Sequence, residues 1–301
     1  MSAVQDASVL VGKPTAPGAV ERVVRLWQYR NLLLNLVRRD LRIRYKESFL
    51  GFLWSLLNPM MYLAIFYVVF VIILHNGLPH FPVFLLSGLL PWTLFQNTLM
   101  GATTSVVGGA PLLKRVAFPR EVLPLAVIGA NIFQFFLQML VLLGFLLLFR
   151  YHFVSSYLLL VIPALIVEVL VLTGLSLMVS SVTVYLRDIA HFMELATLFW
   201  FWLTPVVYQP ITVYDHFVNH HLPFGLYLFN PMVVVVMAYQ RAFYNSVSPM
   251  TKGGPFPVLI PGLHLGWYFQ QLGILALVSF VLIWIGFAVF GKGEGNFAEE
   301  L

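Results

Sequence analysis

Two kinds of side chain in this sequence could do chemistry: a carboxylate inside an apolar stretch and an unusual density of aromatic rings. Glu168 lies deep in a long apolar run, where an ionisable group serves an ion or proton pathway or makes a structural hydrogen bond. One such carboxylate is thin support for a proton relay. Aromatic residues make up 16% of the chain, and rings that line a passage can stack on the apolar faces of sugars. A functional role for Glu168 would therefore favour an ion or proton pathway, whereas the aromatic residues favour a passage for sugars.

The aromatic residues are densest in three apolar segments. Most rings in such a chain belong to interface belts or to lipid-facing surface. A passage for a small ion would instead need oxygen ligands or charged side chains arranged around the pore, which the sequence does not supply. The fifth apolar segment carries Phe201 within an unbroken aromatic run. The candidates for lining a passage are Tyr62, Phe66, Tyr67, Trp92, Phe95, Phe199, Trp200, Trp202 and Tyr208.

Motifs for catalysis and for cofactor binding are missing. Neither Gly12-Lys13 nor Gly291-Lys292 is followed by Ser or Thr, so the chain has no phosphate-binding loop of the G-x-x-x-x-G-K-[ST] type. The sequence has no H-E-x-x-H or G-x-S-x-G motif, its eight His residues are scattered, and it has no Cys. We therefore predict no catalytic residue, no cofactor site and no metal site in this chain.

The elements that position these residues are set by a membrane. The chain is 60% hydrophobic and 10% charged, whereas soluble domains carry roughly 25% charged residues. A stretch of 66 residues from Ser48 to Leu113 contains no Asp, Glu, Lys or Arg. A helical span needs about 20 apolar residues, and polar or Pro/Gly breaks divide the apolar sequence into six. The predicted spans are roughly 51–74, 82–109, 122–149, 157–186, 189–208 and 266–290.

The basic residues predict the orientation. With the N-terminus inside, 14 of the 17 Lys and Arg residues fall in cytoplasmic segments. This positive-inside bias predicts that both termini are cytoplasmic. Residues 1–21 have no apolar core of the signal-peptide kind, and we expect a flexible cytoplasmic tail. Residues 48–291 form a single transmembrane domain in this interpretation, and residues 292–301 form the cytoplasmic C-terminus.

Residues 22–47 are predicted to form an amphipathic helix in the membrane interface. Apolar residues recur at spacings of three and four from Leu26 to Tyr45, with cations on another face. The helix is either a simple topology anchor or a brace for a cytoplasmic partner, and the pattern leaves both open. Its candidate interface residues are Arg38, Arg39, Arg42 and Lys46.

Two connecting segments also carry patterns. The external segment 209–265 contains an apolar stretch, 222–244, that breaks at Asn230-Pro231 into halves too short to span. This pattern predicts a re-entrant helical hairpin that caps a passage, or an interfacial hairpin without a gating role. The Gly- and Pro-rich loop 245–262 has no recognisable motif. The basic loop 110–121 is either a topology loop or a short helix that inserts into a soluble partner.

Several motifs fall into one ordered pattern. They are Tyr45-Lys46-x-Ser48-x-Leu50-Gly51-x-x-Trp54 with Pro59, Leu113-Lys114-Arg115 with Phe118-Pro119-Arg120-Glu121 and Leu123-Pro124, Tyr185-x-Arg187-Asp188-Ile189 with Trp202-x-Thr204-Pro205-Val206-x-Tyr208, Asn230-Pro231, and Phe297-Ala298-Glu299-Glu300-Leu301. With this set the chain resembles the membrane subunit, or permease, of type-2 ABC exporters. The branch it resembles exports polysaccharides and polyol phosphates, including O-antigen, capsule and teichoic acid.

The resemblance implies an all-α protein in the bacterial cytoplasmic (inner) membrane. It implies a homodimer that binds two copies of a nucleotide-binding subunit, which carry ATP and Mg. The cargo would be a polyisoprenoid-linked glycan, moved through a channel at the dimer interface formed by the first, second and fifth spans, with Asn230 and Pro231 in the outer gate. Membrane lipids, and no nucleic acid, would be further partners. The implied ATPase-coupling residues are Leu113, Lys114, Arg115, Phe118, Pro119, Arg120 and Glu121.

Other functions remain open at the level of the sequence. Within the exporter class, the cargo could be teichoic acid or a small amphiphile. Outside it, the chain could be an ion-coupled lipid carrier centred on Glu168, or a membrane glycosyltransferase. The transferase would need a cluster of carboxylates or a metal site near an interface, and no such motif is present.

Overall fold

A computed structural model of the chain describes residues 19–46, 53–75, 78, 80–114, 116, 118–150, 155–244, 260–294 and 297. Most of the predicted tail 1–21, most of the loop 245–262, Arg115 and residues 298–301 lie outside the described residues. The regular structure within the described residues is helical throughout. The predicted all-α class is therefore confirmed.

The first half of the chain forms six helices in the described ranges. They are α1 (Ala19–Gln28), α2 (Arg30–Tyr45), α3 (Leu53–Tyr67, continued by the π-helical stretch Val68–Ile73), α4 (Phe81–Gly108), the short α5 (Ala110–Leu113) and α6 (Val122–Leu148).

The second half begins with a 3₁₀ turn, Ser156–Leu160, that leads directly into a long helix. The helices here are α7 (Val161–Tyr185), α8 (Ile189–Leu203), α9 (Pro210–Asn219), α10 (Pro231–Phe243) and α11 (Leu265–Glu294), with a second 3₁₀ turn, Phe224–Phe229, before α10.

Five helices in the described residues are long and apolar enough to cross a membrane, and each matches a predicted span. They are α3 with its π-helical continuation, α4, α6, α7 with the preceding 3₁₀ turn, and α11. The fifth predicted span, 189–208, contains a helix of only 15 residues. At 1.5 Å per residue α8 is about 22 Å long, which is shorter than the ~30 Å hydrocarbon core. By helix length, the described residues contain five spans, and α8 alone is too short to be the sixth.

Helix α4 is the centre of the bundle. Its residues from Phe81 to Phe95 are all buried, and it packs against α3, α6, α7, α8 and α10. Helix α10 is buried from Met232 onward and lies directly on α4. The approach is close because a Cβ added at Gly88 would lie 2.8 Å from Gln240 Nε2. Helix α10 also buries the polar side chains of Gln240 and Arg241, and α4 and α7 pack around it.

The two segments beside α10 differ in how well the sequence predicted them. Asn230 ends the 3₁₀ turn and begins α10, where its side chain accepts a hydrogen bond from the Met232 backbone N–H. The predicted break at Asn230-Pro231 is therefore present. Helix α9, with Pro210 at its first position, was not predicted.

The N-terminal segment bends once. Helix α1 begins at Ala19, and Tyr29 separates it from α2. Helix α2 lies along α6, with Leu36 buried and Val37 in close contact with Gly129. The predicted single helix is therefore two helices, and its apolar face covers a membrane helix.

The C-terminal helix α11 packs along α7 through two glycines. A Cβ added at Gly174 would lie 2.8 Å from the carbonyl carbon of Leu282, and one added at Gly286 would lie 2.8 Å from the Gly174 carbonyl oxygen. Small residues at such an interface let two backbones approach, which is how helices gain packing energy in lipid.

We expect Gly174→Ala to destabilise the bundle, because the clash is with the backbone of α11 and not with a flexible side chain. Overpacking of this kind costs about 1–3 kcal/mol. The matched control is Gly273→Ala on α11, where no atom lies within 4 Å of the added Cβ. Thermal unfolding of the purified protein in detergent measures the difference, and equal midpoints for the two variants would contradict this packing.

Candidate functional site

An aromatic cleft lies where α3, α4 and α8 meet. It has a volume of about 230 Å³. Its lining residues are Tyr62, Phe66, Leu89, Trp92, Thr93, Gln96, Leu198, Phe201 and Trp202. The cleft brings together aromatic residues from the first, second and fifth predicted spans, which are far apart in the sequence.

The rings of the cleft form one connected cluster with Phe201 at its centre. The Phe201 ring lies 6.1 Å from Phe66, 5.6 Å from Trp92 and 5.4 Å from Trp202 between centroids. Such separations are those of favourable stacked and edge-to-face pairs. Packing between the rings therefore shapes the wall of the cleft, and Phe201 contacts three of the other rings. Phe201 stood in the aromatic run but was missing from the predicted lining set.

The other predicted lining residues take different positions. Phe95 and Trp200 pack behind the cleft wall, 5.0 Å apart. Tyr67 contacts Phe81 at 6.3 Å, away from the cleft lining. Phe199 is 68% exposed on the outer face of α8. Helical rotation places adjacent residues of the run on different faces, which a count of aromatic residues does not show.

Polar groups distinguish the cleft from a larger groove between α3 and α6. That groove, of about 300 Å³, is lined by apolar residues and Gly144 alone. In the aromatic cleft, Trp92 Nε1–H donates to Gln96 Oε1 at 3.2 Å, and the Thr93 hydroxyl donates to Gln138 Oε1 at 3.2 Å. Ring faces beside amide and hydroxyl groups suit a cargo with apolar and polar faces, whereas the groove suits a lipid chain.

Asn230 holds the start of α10 onto the end of α8. Its Oδ1 accepts a hydrogen bond from Trp200 Nε1–H at 2.7 Å and from the Met232 backbone N–H at 3.0 Å. Its Nδ2–H group donates to Thr204 Oγ1 at 2.9 Å. The predicted gate residue is therefore a clamp that joins α10 to the helix carrying Phe201.

Aromatic residues also cover the segment between α8 and α10. The Tyr208 and Tyr227 hydroxyls are 2.9 Å apart, and Tyr227 lies 5.8 Å from Phe224 between ring centroids. Burial raises the pKa of the Tyr227 hydroxyl above its ordinary value, and the neighbouring Tyr208 raises it further. The pair therefore stays protonated and hydrogen-bonded at neutral pH. Tyr214 and Phe217 of α9 pack on Phe224, so α9 is held by ring contacts.

The predicted coupling segment follows the C-terminal end of α4, whereas α10 contacts α4 at Gly88 in the N-terminal half of that helix. Leu113 and Phe118 are half-buried against α2 and the start of α6. Pro119 and Glu121 are buried, and Glu121 forms an ion pair with Arg22 of α1. Lys114 and Val116 are exposed. The predicted coupling segment is therefore partly buried in the bundle, and its outer surface includes Lys114 and Val116.

The predicted interface residues lie on the outer side of α2. Arg38, Arg39, Arg42 and Lys46 are exposed, and Arg39 pairs with Asp40 at 2.9 Å. Arg44, which was not predicted, is hydrogen-bonded to Gln134 and to Asn131 Oδ1 of α6. Helix α2 therefore combines a side anchored on α6 with an exposed basic side.

Glu168 is fully buried on α7 and does not line the cleft. Within the described residues neither of its carboxyl oxygens has a hydrogen-bond partner, and the Tyr239 hydroxyl lies near enough to interact electrostatically. The described residues contain no group of three or more His, Cys, Asp or Glu side chains that could hold a metal ion.

Comparison with known proteins decides the family. The model of the ABC-2 type transporter family matches residues 31–244, which include the cleft, the coupling segment and the clamp. The chain belongs to this family.

Two relatives match nearly the whole chain, and a third matches a shorter part. The O-antigen export system permease protein RfbA of Myxococcus xanthus is 32% identical over 284 residues, covering 93% of this chain and 99% of the relative. The protein of the same name from Klebsiella pneumoniae is 26% identical, with 90% and 95% covered. The polysialic acid transport protein KpsM of Escherichia coli is 41% identical over 64 residues, or 21% of this chain and 25% of KpsM.

Membership in the ABC-2 family confirms the predicted class. The chain is the permease subunit of an ABC-2 type exporter and a multi-pass membrane protein. In this family the permease works with a separate nucleotide-binding subunit, where ATP is hydrolysed. The ion-coupled carrier and the membrane glycosyltransferase belong to other classes and are set aside.

We expect Asn230→Ala to loosen the start of α10 in this ABC-2 permease, because the change removes the cap of α10 and leaves Trp200 without its acceptor. Loss of a cap costs about 1 kcal/mol, and loss of the half-buried acceptor adds a similar amount. Hydrogen–deuterium exchange over residues 224–243 should rise, while Asn219→Ala, at the exposed end of α9, should leave that exchange unchanged. Equal protection from exchange in the two variants would show that Asn230 does not clamp α10 to the end of α8.

Proposed function

We propose that this permease exports a lipid-linked polysaccharide of the O-antigen kind from the cytoplasm across the inner membrane. The observation that carries the proposal is the aromatic cleft of α3, α4 and α8 in a chain similar along nearly its whole length to O-antigen export permeases. Teichoic acid and small amphiphiles are the other cargoes of the exporter class. The relatives' names favour a polysaccharide.

The chemistry of the cleft suits a polymer that slides. Ring faces stack on the apolar C–H faces of successive sugars without requiring one fixed register. The polar groups of the wall, Thr93 and Gln96, are uncharged, so no sugar is held by a strong ionic contact. Many weak and equivalent contacts allow movement, whereas one tight site would stop the chain.

The size of the cleft argues for a second copy of the permease. Sites that enclose small ligands measure about 300–1,000 Å³, so a cleft of about 230 Å³ holds only part of a glycan chain. The helices that border it, α3 and α8, expose apolar residues such as Ile65 and Phe199. A two-fold symmetric dimer would place two clefts face to face and complete a channel between them. A polyisoprenoid anchor would remain in the surrounding lipid.

The segment after α8 supports a sixth span. Residues 204–207 have left the helix, yet all four are buried in protein, and the Pro205 carbonyl accepts a hydrogen bond from Gln240 Nε2 at 2.8 Å. Irregular backbone is stable at membrane depth when protein satisfies its polar groups. We propose that α8 and this segment cross the membrane together. Six spans place both termini in the cytoplasm, as the distribution of basic residues predicts.

The same topology places the coupling segment and the basic side of α2 in the cytoplasm. We propose that two copies of the nucleotide-binding subunit, which carry ATP and Mg, dock on the surface around Lys114 and Val116 and on the basic residues of α2. ATP-driven closure of these subunits would push on the permeases and rock the spans about the dimer axis. The hairpin clamped by Asn230 would then gate the outer end of the channel.

The cleft is tested by Phe201→Ala in the complete transporter, reconstituted with its ATPase in vesicles and supplied with lipid-linked glycan. Loss of one aromatic contact of about 1 kcal/mol corresponds to roughly a fivefold lower export rate. The matched control is Phe280→Ala on α11, where the ring is 59% exposed and away from the cleft.

Export that depends on ATP and falls for Phe201→Ala but not for Phe280→Ala supports the proposal. Export unchanged by Phe201→Ala would remove the cleft from the transport path. An active ATPase without glycan export in the wild-type complex would overturn the proposed cargo.

A further inference from the structure

A second set of contacts lies far from the aromatic cleft, at the end of the bundle that carries the coupling segment. Arg22 of α1 and Glu121 of the coupling segment are 99 residues apart and form an ion pair, with only 5% and 3% of each residue exposed. Removal of one partner from such a pair leaves a buried charge uncompensated, so the pair resists separation. The N-terminal helix and the coupling segment are therefore firmly joined.

The same arginine also contacts the last helix. A Cβ added at Gly291 of α11 would overlap the Arg22 guanidinium, so the side chain lies directly on the α11 backbone. A larger residue at position 291 would displace the Arg22 guanidinium from this position. Arg22 thus connects three elements: α1, the coupling segment and the end of α11.

Phe297 provides a second connection. It is fully buried, and the Arg120 guanidinium carbon lies 5.5 Å from the centre of its ring, in the range of a cation–π contact. The ring also packs on Phe290 of α11 at 5.4 Å and on Tyr185, the last residue of α7, at 5.9 Å. The Tyr185 hydroxyl donates to the Gly293 carbonyl oxygen at 2.8 Å. The coupling segment therefore contacts the ends of α7 and α11 through this ring, and Leu113 packs on the same cluster.

We infer that Arg22, Arg120, Glu121, Tyr185 and Phe297 form a latch that transmits displacement of the coupling segment to the α7–α11 pair. The inference rests on the proposed function, because it assumes that an ATPase displaces this segment. Helices α7 and α11 are packed closely at Gly174 and Gly286, so a push at their ends moves them as one body. Without the latch, the push would reach the ends of α7 and α11 only through the packing of α4 on α7 and the apolar contact of Leu113.

These five are positioning residues, and the readout that tests them is glycan exported per ATP hydrolysed. We expect Glu121→Gln to lower this ratio in assembled complexes by on the order of fivefold or more, with ATP hydrolysis retained, because coupling energies between sites are commonly of that size. The matched control is Arg25→Gln, which breaks an exposed ion pair with Glu21 on the same helix and should leave the ratio unchanged.

A second variant keeps the test decisive if Glu121→Gln does not assemble. Phe297→Leu retains the buried apolar volume and the ion pair but removes the ring that Arg120 faces, and it should lower the same ratio. A latch that serves stability alone would reduce the amount of assembled complex and leave glycan exported per ATP at the wild-type value in both variants. That result would overturn the inference. Failure of the proposed function would be distinct, because the wild-type complex itself would then export no glycan.

Discussion

Burial of helix α4 is the constraint on which the other features depend. Lipid tails are as apolar as the side chains, so helices in a membrane associate through close packing and internal hydrogen bonds. Helix α4 has both, with α10 against Gly88 and the Thr93–Gln138 hydrogen bond to α6. One stretch of α4 carries Trp92 into the aromatic cleft, and its end continues into α5 and the coupling segment. A single rigid element therefore links the surface where force would enter to the wall where cargo would pass.

The bundle divides around α4 into parts that would move differently. Helices α3 and α8 border the cleft and expose apolar faces, whereas α7 and α11 are packed backbone to backbone at two glycines. The proposed channel between two permeases would have to change its width while each permease stays folded. The apolar faces of α3 and α8 would border that channel, and the tight α7–α11 pair would keep each permease folded.

The sequence predicted what depends on local pattern, and it missed what depends on distant contacts. Five spans were recognisable because each is a long apolar run, and the break at Asn230 because Asn-Pro both ends and caps helices. Helix α9 was missed because its apolar side is completed by Phe224, which belongs to another element. Phe201 and Phe199 are the same residue type in the same aromatic run, and only the rotation of α8 against α4 places one in the cleft and the other on the outer face. The Arg22–Glu121 pair joins residues 99 positions apart, and no local pattern shows it.

The central claim is that glycan passes along the cleft of α3, α4 and α8. The most direct measurement is photocrosslinking from single positions in the reconstituted transporter during ATP turnover. A photoreactive residue at Tyr62, which lines the cleft, should capture glycan only when ATP is hydrolysed, and one at the exposed Trp284 of α11 should capture lipid alone. Glycan captured equally from both positions, or from neither, would contradict the account.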